Sequence, residues 1–267
     1  MIRLDGVTRS YGSDTSLVTA LSDVDLEIGA GEYVAIMGPS GSGKSTMMNI
    51  IGCLDRPSAG YYLFEGLEVG RLPDRGRARL RGRVFGFVFQ SYNLLPRLTA
   101  LEQVELPLVY QQAPKRRHRA AEALIRVGLH DRIHHRPSEL SGGEQQRVAI
   151  ARSLVVNPRL VLADEPTGAL DTRTGEEVMQ LLTELVDDQG ITVILVTHEQ
   201  EVAAHARRMI RMRDGRIVED APQVPQLSPN GTREEAHFAS PLDRGFRHPE
   251  EQRPTESPMP TIKGIEA

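Results

Sequence analysis

A glycine-rich segment, residues 38–46, has the residue types and spacing that bind phosphate. It reads Gly-Pro-Ser-Gly-Ser-Gly-Lys-Ser-Thr, follows the apolar run Tyr33 to Met37 and precedes a segment with a helical pattern. Glycines lack the Cβ atoms that would hold the backbone away from an anion, so backbone N–H groups and a helix N-terminus can surround it. Lys44 adds a point charge, and Ser45 supplies a hydroxyl of the kind that a phosphate-bound Mg²⁺ needs. The order strand, loop, helix therefore predicts a nucleotide-binding phosphate loop. Its candidate contacts are Gly38, Ser40, Gly41, Ser42, Gly43, Lys44, Ser45 and Thr46.

Two carboxylates, Asp164 and Glu165, end the apolar run Leu160 to Ala163. An apolar run followed by Asp-Glu is commonly a strand entering a solvated turn. With a phosphate loop upstream, the catalytic interpretation is favoured, because α/β sheets bind ligands at the carboxyl ends of their strands. We expect Asp164 to hold Mg²⁺ through water and Glu165 to polarise the water that attacks the terminal phosphate.

Another glycine-containing segment, Ser141-Gly142-Gly143, opens a second predicted helix. The segment offers a hydroxyl and bare N–H groups at a helix start, although an ordinary helix cap would look the same. Placed between the phosphate loop and the Asp-Glu strand, it makes the chain resemble the ATP-binding-cassette family of ATPases over roughly residues 1–220. That resemblance implies ATP and Mg²⁺ as ligands and ATP hydrolysis as the activity. We refer to residues 141–143 as the signature segment.

The resemblance also implies roles for four isolated residues. Tyr11 matches the aromatic residue that stacks on adenine. Gln90, after the run Val84 to Phe89, matches the glutamine that contacts Mg²⁺ or water and links the site to a helical subdomain; the alternative is a polar strand end. Asp171 lies in the loop that crosses between subunits, and His198 matches the histidine that contacts the γ-phosphate, where a lone histidine at a strand end is more often structural.

Residues 86–95 and 164–168 are similar to the group that includes lipoprotein-release, macrolide-export and cell-division ATPases, although Ala169 stands where that group typically has Asn. The resemblance implies a head-to-tail dimer of two copies of this chain, in which Ser141 completes the partner's site. It further implies an integral membrane permease as partner and a location at the cytoplasmic face of the membrane. Apolar residues between Ser91 and Tyr110 form either the core of the helical subdomain or a groove that receives helices of the permease.

Three other functions stay open at this point. A soluble cassette ATPase acting on nucleic acid usually has two cassettes or long coiled-coil insertions, and a net charge of -4 with 4% aromatic residues also speaks against a nucleic-acid partner. An ATP sensor without hydrolysis would lack the carboxylate at Glu165. A cassette that signals through a membrane partner to an extracytoplasmic enzyme has the same sequence features as a transporter.

The elements that must position these residues alternate between short apolar runs and helical patterns, which predicts an α/β fold with a mainly parallel sheet flanked by helices. We predict one helix at Thr174 to Asp188 and an inserted helical subdomain at about 91–158. The region 221–267 holds 8 of the 17 prolines and predicts a disordered tail. No apolar run is long enough to span a bilayer, so we expect any membrane contact to come through a partner. Five strands are predicted, at Val24 to Ile28, Tyr33 to Met37, Val84 to Phe89, Leu160 to Ala163 and Ile191 to Val196.

Overall fold

Ten strands and seven α-helices form the part of the chain that the structure, a computed structural model, describes, namely residues 1–12 and 16–225. The strands are β1 (Ile2–Tyr11), β2 (Val18–Ile28), β3 (Tyr33–Met37), β4 (Ala59–Phe64), β5 (Leu67–Glu68), β6 (Phe85–Phe89), β7 (Leu160–Asp164), β8 (Thr192–Val196), β9 (Arg208–Arg213) and β10 (Arg216–Pro222). The helices are α1 (Lys44–Ile51), α2 (Asp74–Val84), α3 (Ala100–Tyr110), α4 (Arg116–Arg126), α5 (Gly142–Leu154), α6 (Thr172–Gln189) and α7 (Gln200–Ala203).

The central sheet has six strands in the order β10-β9-β3-β8-β7-β6, and all of them except β10 run parallel to their neighbours. Every residue of β3 and β8 is buried, which explains why the sequence shows continuous apolar runs instead of alternation. The predicted parallel α/β core is confirmed. The strand ends differ by one residue from the prediction at three places: β6 starts at Phe85, β7 continues to Asp164 and β8 starts at Thr192.

The register of this sheet aligns the strand ends that carry the candidate residues. Ile36 of β3 and Asp164 of β7 both pair with Val196 of β8, and Asp164 also pairs with Phe89 of β6. Neighbouring strands are about 4.8 Å apart, so the ends of β3, β8, β7 and β6 lie side by side along about 14 Å of one sheet edge. The loops that leave these four ends therefore meet.

A second, antiparallel sheet has the order β2-β1-β4-β5. The predicted strand Val24 to Ile28 is part of β2, which is longer and belongs to this sheet and not to the parallel one. In the parallel sheet, β10 includes Ala221 and Pro222, the first residues of the predicted tail. Residues 226–267 lie outside the described residues, and so does most of the predicted disordered tail.

Helices α3 to α7 share one continuous apolar cluster with strands of the parallel sheet. In α6, the buried stripe of Val178, Met179, Leu182, Leu185 and Val186 packs against β3, β7 and β8. The predicted helix over 174–188 is thus found with slightly longer bounds.

Helices α3, α4 and α5 all lie between β6 and β7 along the chain, and their buried residues belong to the same apolar cluster. Leu101, Val104 and Leu108 of α3 are core residues, whereas Val109 and Tyr110 at its end are exposed. No helix among the described residues has the length and apolar character needed to cross a bilayer.

Candidate nucleotide site

The phosphate loop connects β3 to α1. Two of its positions need glycine, because the backbone of another segment lies too close to leave room for a side chain. Gly38 has φ 154° and a Cβ there would lie 2.3 Å from the Met212 carbonyl oxygen. Gly43 has φ 101°, and its Cβ would lie 2.6 Å from the Ala20 carbonyl oxygen. As the N-cap of α1, Gly43 gives no side-chain cap, and no acidic residue occupies the first turn. The first N–H groups of the helix are thus available to an anion.

Lys44 points its ammonium group into the phosphate loop. Its Nζ donates hydrogen bonds to the carbonyl oxygens of Gly38 at 2.7 Å and Pro39 at 2.9 Å. Ser42 is buried and its hydroxyl has no partner among the described residues. The hydroxyl of exposed Ser45 also makes no hydrogen bond within the described part of the chain. The loop therefore presents a charge and unused hydroxyl groups, as phosphate binding requires. Ser40 and Gly41 are exposed and Thr46 is half-buried.

Asp164 lies half-buried at the end of β7, and its carboxylate has neither a hydrogen bond nor an ion pair with any described residue. Burial and the neighbouring charge of Glu165 raise the pKa of Asp164, while the charge of Lys44 acts in the opposite direction. An unpaired carboxylate in such a place is stabilised by a bound cation.

The residues predicted to hold Mg²⁺ fit that ion. The Ser45 hydroxyl, the Gln90 side-chain amide and the Asp164 carboxylate all offer hard oxygen atoms. Within residues 1–12 and 16–225 there is no group of three or more His, Cys, Asp or Glu side chains that could hold a metal. One carboxylate with neutral oxygen donors suits Mg²⁺, which keeps several waters and binds substrate phosphates.

Glu165 is held in a defined orientation by the two residues that directly follow β8. Its Oε1 lies 2.7 Å from Nδ1 of His198, and its Oε2 accepts a hydrogen bond from the Thr197 hydroxyl at 3.1 Å. Its backbone has φ 46°, a left-handed conformation that costs a residue with a side chain about 1–2 kcal/mol. The hydrogen bond and the charge of Glu165 raise the pKa of His198. A strained, fixed carboxylate next to the phosphate loop is what a water-orienting group requires.

Thr197 is a residue that the sequence prediction missed. It is fully buried, and its hydroxyl donates to Glu165 and accepts a hydrogen bond from the Glu199 N–H at 3.1 Å. The only signal in the sequence is its position directly before His198 at the end of an apolar run. A buried threonine in that position is compatible with a purely structural role until the strand order places Glu165 next to it.

Gln90 follows β6 and lies at the same sheet edge, next to the end of β7. Its side chain packs against Gly168, where a Cβ would lie 2.6 Å from the Gln90 Nε2. The structure thus brings together Lys44, Asp164, Glu165, His198 and Gln90.

The signature segment and Asp171 lie at two helix N-termini that pack on each other. Ser141 caps α5 through its hydroxyl, which accepts from the Glu144 N–H at 3.2 Å. Asp171 caps α6 by accepting from the Thr174 N–H at 3.1 Å, and the hydrogen bonds from Thr174 lower the pKa of Asp171. The Thr174 methyl group lies 2.2 Å from where a Cβ of Gly143 would be. Within this chain Ser141 and Asp171 act as helix caps and Gly143 is a packing residue. Their role at a partner's site stays a prediction.

Tyr11 lies at the end of β1 in the antiparallel sheet, where it pairs with Val18 of β2. Its hydroxyl donates to the Asp55 carboxylate at 2.8 Å, and the guanidinium of Arg9 lies 4.4 Å above its ring. The ring is 40% exposed. Since Arg9 covers the ring on one side, a base that stacks on Tyr11 must use the other side.

Comparisons with known proteins agree with this arrangement. The family model described as ABC transporter matches residues 21–168, which is more than half of the chain. The macrolide export ATP-binding/permease protein MacB of Marinobacter nauticus is 54% identical over 87% of this chain and 37% of its own length. An uncharacterised ABC transporter ATP-binding protein of Thermotoga maritima is 55% identical over 81% of this chain and 93% of its own length. This chain thus spans about a third of the length of the MacB relative and nearly the whole length of the Thermotoga maritima protein.

Among solved structures, the ATP-binding cassette MJ0796 in a dimeric post-hydrolysis state bound to ADP and Pi superposes with a TM-score of 0.77. It is 47% identical, and the match covers 83% of this chain and 98% of that chain. The expected resemblance to the macrolide-export group is confirmed, and the chain belongs to the ABC transporter family as one of its ATP-binding, ATP-hydrolysing cassettes.

Proposed function

We propose that two copies of this cassette close on ATP, hydrolyse it and drive a membrane permease. The similarity to macrolide export proteins favours export as the direction of transport. The observation that supports closure on ATP and its hydrolysis is the preformed set of Lys44, Asp164, Glu165 and His198 at one sheet edge, with the signature segment elsewhere on the same chain. A monomer then holds a complete hydrolytic half-site and an unused signature segment.

In the proposed mechanism the phosphate loop binds the triphosphate of ATP through its N–H groups and Lys44. Glu165 accepts a hydrogen bond from the attacking water and orients it, because Thr197 and His198 hold both of its carboxylate oxygens. His198, whose raised pKa favours the charged imidazolium, offers a donor to the terminal phosphate. When bound at Ser45, Asp164 and Gln90, Mg²⁺ supplies neutralising charge to the phosphate oxygens.

The proposed dimer pairs each phosphate loop with the partner's signature segment. Two identical head-to-tail contacts make a closed pair with two equivalent sites. The solved relative described above is a dimer bound to ADP and Pi, which supports the same arrangement for this chain. ATP binding then favours the closed pair, and hydrolysis releases it. In each site Ser141, Gly142, Gly143 and Asp171 come from the partner.

The permease is the part of the proposal that rests on relatives' names. MacB relatives are ATP-binding/permease proteins, and this chain matches about a third of their length. On the cassette, Leu95, Val109 and Tyr110 are exposed apolar residues on and near α3 and suit a docked permease helix. Such a partner would place the cassette at the cytoplasmic face of the membrane. The signalling and soluble alternatives have no comparable support among the relatives reported above.

The role of Ser141 is tested in the Glu165→Gln background, where ATP should trap a dimer visible by size-exclusion chromatography. Adding Ser141→Ala removes one hydrogen bond to phosphate per site. A hydrogen bond to a charged group contributes about 1.5–3 kcal/mol, so the dimer should weaken by at least about tenfold. ATP affinity of the monomer should not change.

Thr99→Ala is the matched control, because Thr99 caps α3 with the same reciprocal bonding to a glutamate. It should destabilise the fold by about 1 kcal/mol, as Ser141→Ala does, and leave the dimer intact. Equal weakening by both variants, or loss of monomer ATP binding in Ser141→Ala, contradicts a role for Ser141 in the partner's site.

The permease is tested by affinity purification of the tagged cassette from detergent-solubilised membranes of cells that express it. The proposal expects an integral membrane protein to copurify in stoichiometric amount and to stimulate ATP hydrolysis. Recovery of soluble proteins alone would refute the transport function and leave the ATPase assignment untouched.

A further inference from the structure

Arg152 lies near the carboxyl end of α5, the helix that begins with the signature segment, and reaches across to the segment that follows Gln90. Its Nη1 donates to the Asn93 carbonyl oxygen at 2.6 Å, and its Nη2 donates to the Tyr92 carbonyl oxygen at 2.8 Å. Burial lowers the pKa of Arg152, because its guanidinium loses contact with water. The hydrogen bonds to the two carbonyl groups offset part of that loss of hydration. A planar guanidinium can serve two acceptors at fixed positions in this way.

The segment that Arg152 holds has a strained backbone. Tyr92 and Asn93 have φ of 56° and 50°, in the left-handed region, which costs Tyr92 about 1–2 kcal/mol and is better tolerated by an asparagine. The Tyr92 N–H donates to the Phe89 carbonyl oxygen at 3.1 Å, which closes a turn around Gln90. We call residues 90–93 the Gln90 turn. Two consecutive strained residues keep this conformation only if neighbouring groups hold it, and Arg152 supplies two of the bonds that do.

The same helix also contacts the turn that carries Glu165. Gln146 of α5 is fully buried, and its Nε2 donates to the Pro166 carbonyl oxygen at 2.6 Å. Tyr92 connects the two regions, since its hydroxyl donates to the Ala169 carbonyl oxygen at 3.4 Å and lies 3.0 Å from where a Cβ of Gly142 would be. Helix α5 therefore touches both hydrolytic turns of its own chain, while its first residues form the signature segment.

We propose that Arg152 is a positioning residue, which holds the Gln90 turn in its strained path and so links the position of Gln90 in one site to the signature segment that the same chain presents to the other site. The proposal rests on the proposed function, because only a dimer gives these two elements different ATP molecules. It assigns Arg152 no contact with nucleotide. Its effect on hydrolysis must therefore pass through Gln90.

A double-mutant cycle tests that dependence with the full chain. Arg152→Met should lower kcat by about tenfold or more, since small misplacements of a catalytic group are costly, and should change ATP affinity less than about twofold. Arg152→Lys should recover part of the loss, because an ammonium can reach one of the two carbonyl groups. Combining Arg152→Met with Gln90→Ala should give a kcat no lower than Gln90→Ala alone.

Arg119→Met is the matched control, because Arg119 donates a guanidinium hydrogen bond to the Val155 carbonyl oxygen at the end of the same helix, at 2.9 Å. It should keep the kcat of the unmodified chain. Effects of Arg152→Met and Gln90→Ala that multiply, or an equal loss in Arg119→Met, overturn the proposal and indicate a general stabilising role.

If Arg152→Met does not fold, the cycle is carried out with Arg152→Lys and the same two outcomes decide. A failure of the proposed function is distinguishable, because it appears as the absence of an ATP-trapped dimer in the Glu165→Gln chain, whatever the cycle gives.

Discussion

Replacing Glu165 by Gln separates catalysis from stability more sharply than any other change in the site. The substitution keeps the volume of the side chain and removes its charge. Because the side chains are 18% exposed for Glu165 and 68% exposed for His198, water screens their pairing. Exposed pairs of this kind contribute at most about 1 kcal/mol to the free energy of unfolding. The folded state should therefore tolerate the change.

The same substitution should strongly affect turnover. A positioned general base contributes about 10²–10⁴-fold to a rate, which corresponds to about 2.7–5.5 kcal/mol of activation free energy. We expect kcat for phosphate release at saturating ATP to fall by about 10³-fold, within that range. The affinity for a fluorescent ATP analogue should stay within about twofold, since Lys44 and the N–H groups of the phosphate loop are unchanged.

Glu199→Gln is the matched control, because it makes the same chemical change next to His198 on an exposed side chain. Its kcat should equal that of the unmodified chain. A Glu165→Gln variant with unchanged turnover, or an equal fall in Glu199→Gln, refutes the assignment of Glu165. A loss of several kcal/mol in urea unfolding would show that the Glu165–His198 pair is structural.

Three further outcomes follow from contacts in the same region. The raised pKa of His198 should fall towards the ordinary value in Glu165→Gln, as measured by NMR titration. In the unmodified chain, the stabilisation from the charged Glu165–His198 pair is complete below the ordinary histidine pKa and is lost as pH rises through the raised pKa. Thr197→Val keeps the side-chain shape and removes the donor to Glu165, so kcat should fall by about tenfold in the phosphate-release assay with little change in ATP affinity; an unchanged kcat would contradict the orienting role. Gly143→Ala brings a methyl group within 2.2 Å of the Thr174 side chain and should cost about 1–3 kcal/mol in urea denaturation, whereas an unchanged midpoint would mean that the two helix ends separate easily.

The local chemistry of this protein is readable from its sequence wherever it depends on one contiguous segment. The phosphate loop is such a segment, because its glycines, lysine and hydroxyls act within one turn between a strand and a helix. The buried strands β3, β7 and β8 also appear directly as apolar runs, and α6 appears as an apolar stripe at helical spacing.

Most of the antiparallel sheet, apart from the second half of β2, and the last two strands of the parallel sheet are not visible in the sequence in the same way. The alternation of β1 is interrupted by register shifts between Leu4 and Ser10. Strand β9 reads Arg-Met-Ile-Arg-Met-Arg, in which the charged residues mask a half-buried strand. Bulges and edge positions change which face a residue occupies, so a period of two cannot be followed along the chain.

Tertiary structure alone decided how the separate motifs work together. Gln90, Glu165 and His198 are far apart in sequence and meet because the strand order places β8 and β7 between β3 and β6. The same order brings Thr197 against Glu165 and lets Arg152 reach the Gln90 turn. A sequence specifies which residue ends each strand, but hydrogen bonding between strands that are distant along the chain determines which of those ends become neighbours, and with them the geometry of the site.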